Sequence, residues 1–116
     1  MMYGPFLYLQ IAQDLEAVIL SGRMVPGTRL PPVRTLARTY QVHVDTLQHA
    51  LRMLRQAGLL QMHGRRTFVT GDIGHLRRRR AEKADTLVSA LLCALLRLGC
   101  TPSDAIRTIL ELQEGG

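Results

Sequence analysis

Apolar side chains recur at Leu47, Ala50, Leu51 and Leu54, at intervals of three and four, and Ala57-Gly58 stops the run directly before two strand-like stretches. That hand-over constrains the fold more than any other feature of the chain. The spacing predicts a helix from about Val44 to Gln56 with one buried face. The stretches Leu59 to Met62 and Thr67 to Val69 flank His63-Gly64-Arg65-Arg66, a hairpin with a glycine at its tip. Upstream, Ile11, Leu15, Val18 and Ile19 have helical spacing, and Ser21-Gly22 ends that run. Pro26-Gly27 then makes a turn, Thr28 to Leu30 a short strand, and Pro31-Pro32 opens a helix from about Pro32 to Thr39. Leu36 and Ala37 supply its inward face, while Arg34 and Arg38, four apart, share another.

Gly71 to Gly74 reads as a hinge, after which Arg77 to Arg80 leads into an apolar helix ending near Leu98. Thr101-Pro102-Ser103-Asp104 starts a final helix, with Thr101 as N-cap, Pro102 in first position and Asp104 completing a capping pair. From Leu87 to Leu96 the sole polar residue is Ser89, so this helix needs cover on more than one face. It is too short for a bilayer, which takes ~20 apolar residues. Fragments below ~40 residues rarely hold a core alone, and a second copy across a two-fold axis is the simplest cover. The expected dimer contacts are Leu87, Val88, Leu91, Leu92, Leu95, Leu98, Ile106, Ile109 and Leu110. The alternative is that the apolar helix folds back on its own amino-terminal part. The expected fold is mostly α with a small β-hairpin: a winged helix-turn-helix over residues 1–72 and a two-helix dimerisation tail over 73–116.

A length of 116 residues excludes a large multi-domain enzyme. The net charge of +6 is almost all arginine, since Lys83 is the only lysine. Arginine favours bidentate contact with phosphates and base edges; an acidic protein or an anionic membrane surface also suits a basic chain. Met1 to Gln10 has no basic region, and Gln10, Gln13 and Asp14 break its apolar stretch, so it does not read as a secretion signal; a cytoplasmic protein with no membrane partner is expected. Cys93 and Cys100 are too few for a disulfide framework and read either as small buried apolar groups or as a redox or inter-subunit pair. His43, His49, His63 and His75 include no i, i+4 pair, so no metal is expected. Neither a phosphate-cradling glycine loop nor a nucleophile with an evident base stands in the sequence, so no catalytic residue, cofactor or enzymatic activity is expected.

The order helix, short strand, two helices and hairpin is that of a winged helix-turn-helix, and the residues that fill it resemble the GntR family of bacterial regulators. The matching stretches are Tyr8-Leu9-Gln10-Ile11, Ile19-Leu20-Ser21-Gly22, Pro26-Gly27-Thr28-Arg29-Leu30-Pro31, Arg34-Thr35-Leu36-Ala37, Thr46-Leu47, Ala50-Leu51, Gly58-Leu59 and Gly64-Arg65-Arg66-Thr67-Phe68-Val69. The tail, with its arginine-rich start, long helix, Leu98-Gly99 and short final helix, looks like the short-tailed YtrA-like branch. The resemblance implies a dimeric repressor, often of a transporter operon, without a large effector domain. Control by a small molecule would then use a pocket in the dimer or a second protein.

Carried over by position, the resemblance implies DNA contacts at Arg34, at His43, Val44, Asp45, Thr46 and Gln48, and at His63, Gly64 and Arg65 in the wing. Val44 stands where many relatives carry a base-reading arginine or another polar residue, Pro32 replaces a capping serine, Arg66 replaces a wing glycine and adds charge, and His43 is a poor N-cap. In a helix-turn-helix the amino-terminal end of the second helix enters the major groove. There Asp45 either accepts from a cytosine amino group or only complements the helix dipole, and Thr46 meets a phosphate or a thymine methyl. Arg34 and Arg38 face DNA or plain solvent, and Arg65 and Arg66 suit a wing along the minor groove or backbone. Residues 77–80 read first as solvated linker, with phosphate contact or pairing to Glu82 and Asp85 as alternatives. The leading expectation is a sequence-specific dimer on an inverted repeat of double-stranded DNA; a backbone-binding architectural protein and a protein-interaction module remain open.

Overall fold

The structure, a computed structural model, describes residues 7–115. Met1 to Phe6, part of the amino-terminal stretch discussed above, and Gly116 lie outside the described residues. The elements are α1 (Leu7–Leu20), α2 (Val33–Tyr40), α3 (Val44–Gln56), β1 (Leu60–His63), β2 (Arg66–Val69), α4 (Ile73–Arg97) and α5 (Pro102–Gly115). They fall into two compact units, residues 1–79 and 80–116.

In the first unit the apolar stripes of α1, α2 and α3 meet in one core, with Leu15, Ile19, Leu47, Leu59 and Val69 fully buried. Pro32 keeps an extended backbone (ψ 149°) and offers no side-chain cap, so α2 starts one residue later than expected and ends one later, at Tyr40. Gln41 closes it in the left-handed region (φ 56°), its N–H donating to the Ala37 and Arg38 carbonyls. The chain thereby turns within three residues into α3. His43 is a better cap than its residue type suggests: its Nδ1 accepts the Asp45 N–H at 3.3 Å, a role that needs the ring lone pair free.

The hairpin pairs Leu60 with Val69, Gln61 with Phe68, Met62 with Thr67 and His63 with Arg66. His63 and Arg66 thus belong to the strands, and the tip shrinks to Gly64-Arg65. Gly64, at φ 66°, takes the first central place of the turn, where a two-residue hairpin favours glycine. Residues 28–30 form no full strand; they join β2 through one bridge, Arg29 with Phe68, and through Val69 N–H to Thr28 O and Leu30 N–H to Thr67 O, both 2.8 Å.

Gly58 ends α3 at φ +76°, and a Cβ there would lie 2.9 Å from Nε2 of His75, which is itself 2.8 Å from the Ala57 carbonyl oxygen. Gly58→Ala is therefore expected to lower stability by at least ~1–2 kcal/mol from the left-handed backbone alone, and further by displacing the imidazole. A urea midpoint equal to that of the parent would show that His75 moves aside without loss.

The glycine-rich stretch before α4 is shorter than expected of a hinge. Asp72 Oδ1 accepts the His75 N–H at 3.0 Å, so α4 starts at Ile73 and takes Gly74 into its first turn, while Leu76 buries itself in the first unit's core. Arg79 is likewise no solvated linker: its Nε donates at 2.9 Å to Oε2 of Glu16, a buried carboxylate on α1.

The second unit comprises the rest of α4 and α5. The Thr101 N–H donates to Asp104 Oδ2 at 2.9 Å and the Asp104 N–H to Thr101 Oγ1 at 3.1 Å, a reciprocal capping box. The Thr101 backbone N–H, then its hydroxyl, hold the Asp104 carboxyl below its ordinary range. The stabilisation is thus present above that range and lost as pH falls through the lowered value. Among the described residues of this unit, Ala105 is the sole buried one. Leu87, Val88, Leu91, Leu98, Ile106, Ile109 and Leu110 are exposed, and Leu92 and Leu95 half-buried. Within the single chain Cys93 is exposed and Cys100 half-buried, so neither is a buried core group. No single described helix is long and apolar enough to cross a membrane.

Candidate nucleic-acid interface

The start of α3 presents His43, Asp45 and Gln48 to solvent, with Thr46 half-buried. Val44 is half-buried and packs at the edge of the core, so the position for which the resemblance implied a base contact is partly occupied by packing. Arg34 and Arg38 are exposed on α2, one turn apart. The end of α2 is anchored to α1 where the Tyr40 hydroxyl donates to Asp14 Oδ2 at 2.6 Å; burial, and then that carboxylate, push the phenol well above its ordinary range. His49 stacks on Tyr8 of α1 with ring centroids 3.8 Å apart, which gives it a packing role on the flank of α3.

In the wing, His63, Gly64, Arg65 and Arg66 are all exposed, and the His63 ring meets Phe68 edge-on at 5.3 Å. Between α3 and the hairpin lies an open cleft of about 380 Å³ whose walls include Gln48, Arg52, Arg55, Met62, Gly64 and Arg65. The structure thus brings together Gln48, Gly64 and Arg65 from the expected set, while Arg38, His43 and Asp45 do not line this cleft. Arg52 and Arg55 are absent from the expected set. Their signal was present, since Gln48, Arg52 and Arg55 stand at i, i+4 and i+7 on one helical face, but only the packed hairpin gives that face a counterpart.

Charge is concentrated in the same unit. Residues 1–79 hold eleven arginines, no lysine and four carboxylates, whereas residues 80–116 hold four basic and five acidic residues. Among the described residues the guanidinium groups of Arg34, Arg38, Arg52, Arg65 and Arg66 have no hydrogen-bond or ion-pair partner. No group of three or more His, Cys, Asp or Glu among the described residues is placed to hold a metal ion.

Three helices, a hairpin with a two-residue tip and an arginine-bearing face define a winged helix-turn-helix protein. Residues 7–69 match the family described as bacterial regulatory proteins, gntR family. The chain belongs to the gntR family of bacterial regulators.

Among curated proteins it is similar to the HTH-type transcriptional regulator YdeF of Bacillus subtilis, 40% identical over 67 residues, which make up 57% of this chain and 14% of YdeF. It is also similar to the HTH-type transcriptional repressor YtrA of the same organism, 34% identical over 65 residues, 55% of this chain and 50% of YtrA. The chain therefore matches half or less of the length of these two relatives. Among solved structures, a GntR family transcriptional regulator from Listeria monocytogenes superposes with a TM-score of 0.87 at 21% identity, covering 96% of this chain and 98% of that one. The DNA-binding domain of AraR in complex with operator ORX1 superposes with a TM-score of 0.54 at 26% identity, covering 60% of this chain and 93% of that one.

Proposed function

We propose that the chain is a cytoplasmic, non-enzymatic transcription regulator that binds double-stranded DNA sequence-specifically as a homodimer, most simply as a repressor acting on an inverted repeat. The observation that carries this is the arginine surplus of the first unit, eleven arginines against four carboxylates, with Arg34, Arg38, Arg52, Arg65 and Arg66 exposed and unpaired among the described residues. In a winged helix-turn-helix that end of the recognition helix enters the major groove and the wing reaches the backbone or the adjacent minor groove. The likeness to a domain solved on its operator supports the same reading.

On this proposal residues 1–72 bind DNA and residues 73–116 pair two copies. Arg34, Asp45, Thr46 and Gln48 face the major groove; Arg38 and His43 flank it; His63, Gly64, Arg65 and Arg66 form the wing contact.

The test is selection of bound duplexes from a random pool near physiological salt. Recovery of an inverted repeat supports a dimeric sequence reader, and failure to retain any duplex sinks the proposal. Retained DNA without a motif would favour an architectural, backbone-binding protein, a second reading supported by the partial burial of Val44. Arg34→Ala and Thr46→Ala are each expected to weaken binding to the selected site by about 1–3 kcal/mol while affecting random duplex less. Equal losses on both would reduce them to phosphate contacts.

A further inference from the structure

The cleft between α3 and the hairpin contains a chemistry that the expected contact set leaves unused. Arg52, Arg55 and Arg65 all line it, together with Gln48 and Thr67, and no carboxylate is among the lining residues. Arg55 is steered across the cleft, its Nη1 lying 3.1 Å from Sδ of Met62 on β1. Arg52, exposed on α3, has no hydrogen-bond or ion-pair partner among the described residues. Three guanidinium groups lining one recess repel one another, and nothing in its walls offsets the repulsion. An anion would, and the planar fork of arginine suits a phosphate.

Geometry names the source of that anion. The major and minor grooves of a duplex are separated by a sugar-phosphate strand. If α3 lies in the major groove and the hairpin tip in the neighbouring minor groove, that strand must pass over the space between them. The cleft is that space.

We propose that the cleft seats a backbone phosphate of the bound duplex, held by Arg52 and Arg55 from α3 and by Arg65 from the wing. The inference rests on the DNA-binding function proposed above and adds to it a contact that fixes the depth of α3 in the groove without reading sequence. Arg52 and Arg55 follow Gln48 by one and two turns, at a rise of ~1.5 Å per residue. They therefore lie behind the base-reading end of α3, where contact with the strand positions the helix.

The test uses the full chain, its selected duplex and a salt series. Each phosphate contact contributes about −0.9 to the slope of log affinity against log salt concentration. Arg52→Ala with Arg55→Ala is expected to make the slope shallower by about one per half-site, the share of the one seated phosphate, and Arg52→Ala alone by a fraction of that, with base preference unchanged. Lysine at both positions should restore most of the slope, because counterion release follows charge. The single Arg52 variant guards against loosening of the hairpin through the Arg55–Met62 contact.

An unchanged slope in both alanine variants overturns the seat, and so does an altered base preference in Arg52→Ala, which would make the residue a reader. Titration of the DNA-free chain with inorganic phosphate separates the two sources of the anion. Saturable binding that disappears in Arg52→Ala, with an unchanged DNA slope, would reassign the cleft to a free phosphate-bearing molecule. A parent chain that binds no duplex would overturn the proposed function itself, a result distinct from a parent that binds and a variant that does not differ from it.

Discussion

Leu91→Asp is expected to turn a dimer into a monomer in sedimentation and to weaken binding to an inverted repeat by about 10²–10⁴-fold. That range is the gain a second tethered half-site gives when its effective concentration is near millimolar. The reason lies in the second unit: Leu91 shares an apolar recess of about 190 Å³ with Leu95, Cys100, Ala105, Ile109 and Leu112. Ala105 is the sole buried residue among those described there. A pair of helices with so little of its apolar surface covered gains most from another copy of itself. Burying one leucine is worth ~1.5–3 kcal/mol, and an unpaired carboxylate in its place adds a desolvation penalty. A two-fold axis makes each substitution count twice. Binding to a single half-site should change little, because Leu91 lies outside the first unit. A variant that still sediments as a dimer would place the interface elsewhere.

Leu47→Ala is expected to lower stability by ~3–5 kcal/mol, a large part of the ~5–15 kcal/mol that holds a small domain folded. Leu47 has no exposed surface and sits on α3 directly after Thr46, so it joins the core to the presented end of the helix. The void left there cannot fill easily, because Leu15 and Ile19 of α1, Leu59 in the link from α3 to β1, and Val69 of β2 belong to the same core and are themselves fully buried. Urea unfolding gives the magnitude. A change below ~1 kcal/mol would mean that the core collapses around the missing atoms, the route by which such deletions become cheap. In the folded fraction, affinity for the selected site should fall more than affinity for random duplex, since a shifted α3 loses base contacts before phosphate contacts.

Where the determining interactions are local, the chain is legible. The span of α3 follows from the spacing of Leu47, Ala50, Leu51 and Leu54, and the capping box of Thr101 and Asp104 closes within four residues. The glycine at the hairpin tip holds the positive φ that its position requires. Even the local departures have local causes: Pro32 delays α2 by staying extended, and Asp72 starts α4 early by accepting an N–H three residues on.

The candidate site was only partly legible for the opposite reason. Arg34, Thr46 and Arg65 belong to segments whose order alone identifies the fold, so sequence sufficed to nominate them. Arg52 and Arg55 depend on the hairpin lying against one face of α3, and the Arg79–Glu16 pair joins residues 63 apart in the chain. The partial burial of Val44 and the stacking of His49 on Tyr8 likewise depend on distant elements. Local spacing and capping set the helices, the hairpin and the capping box of α5, and the order of these segments identifies the family. Which arginines share a cleft, and that Arg79 is tied to Glu16, came from packing, because a helical repeat specifies which residues share a face, whereas the partner of that face is set by contact between elements remote in sequence.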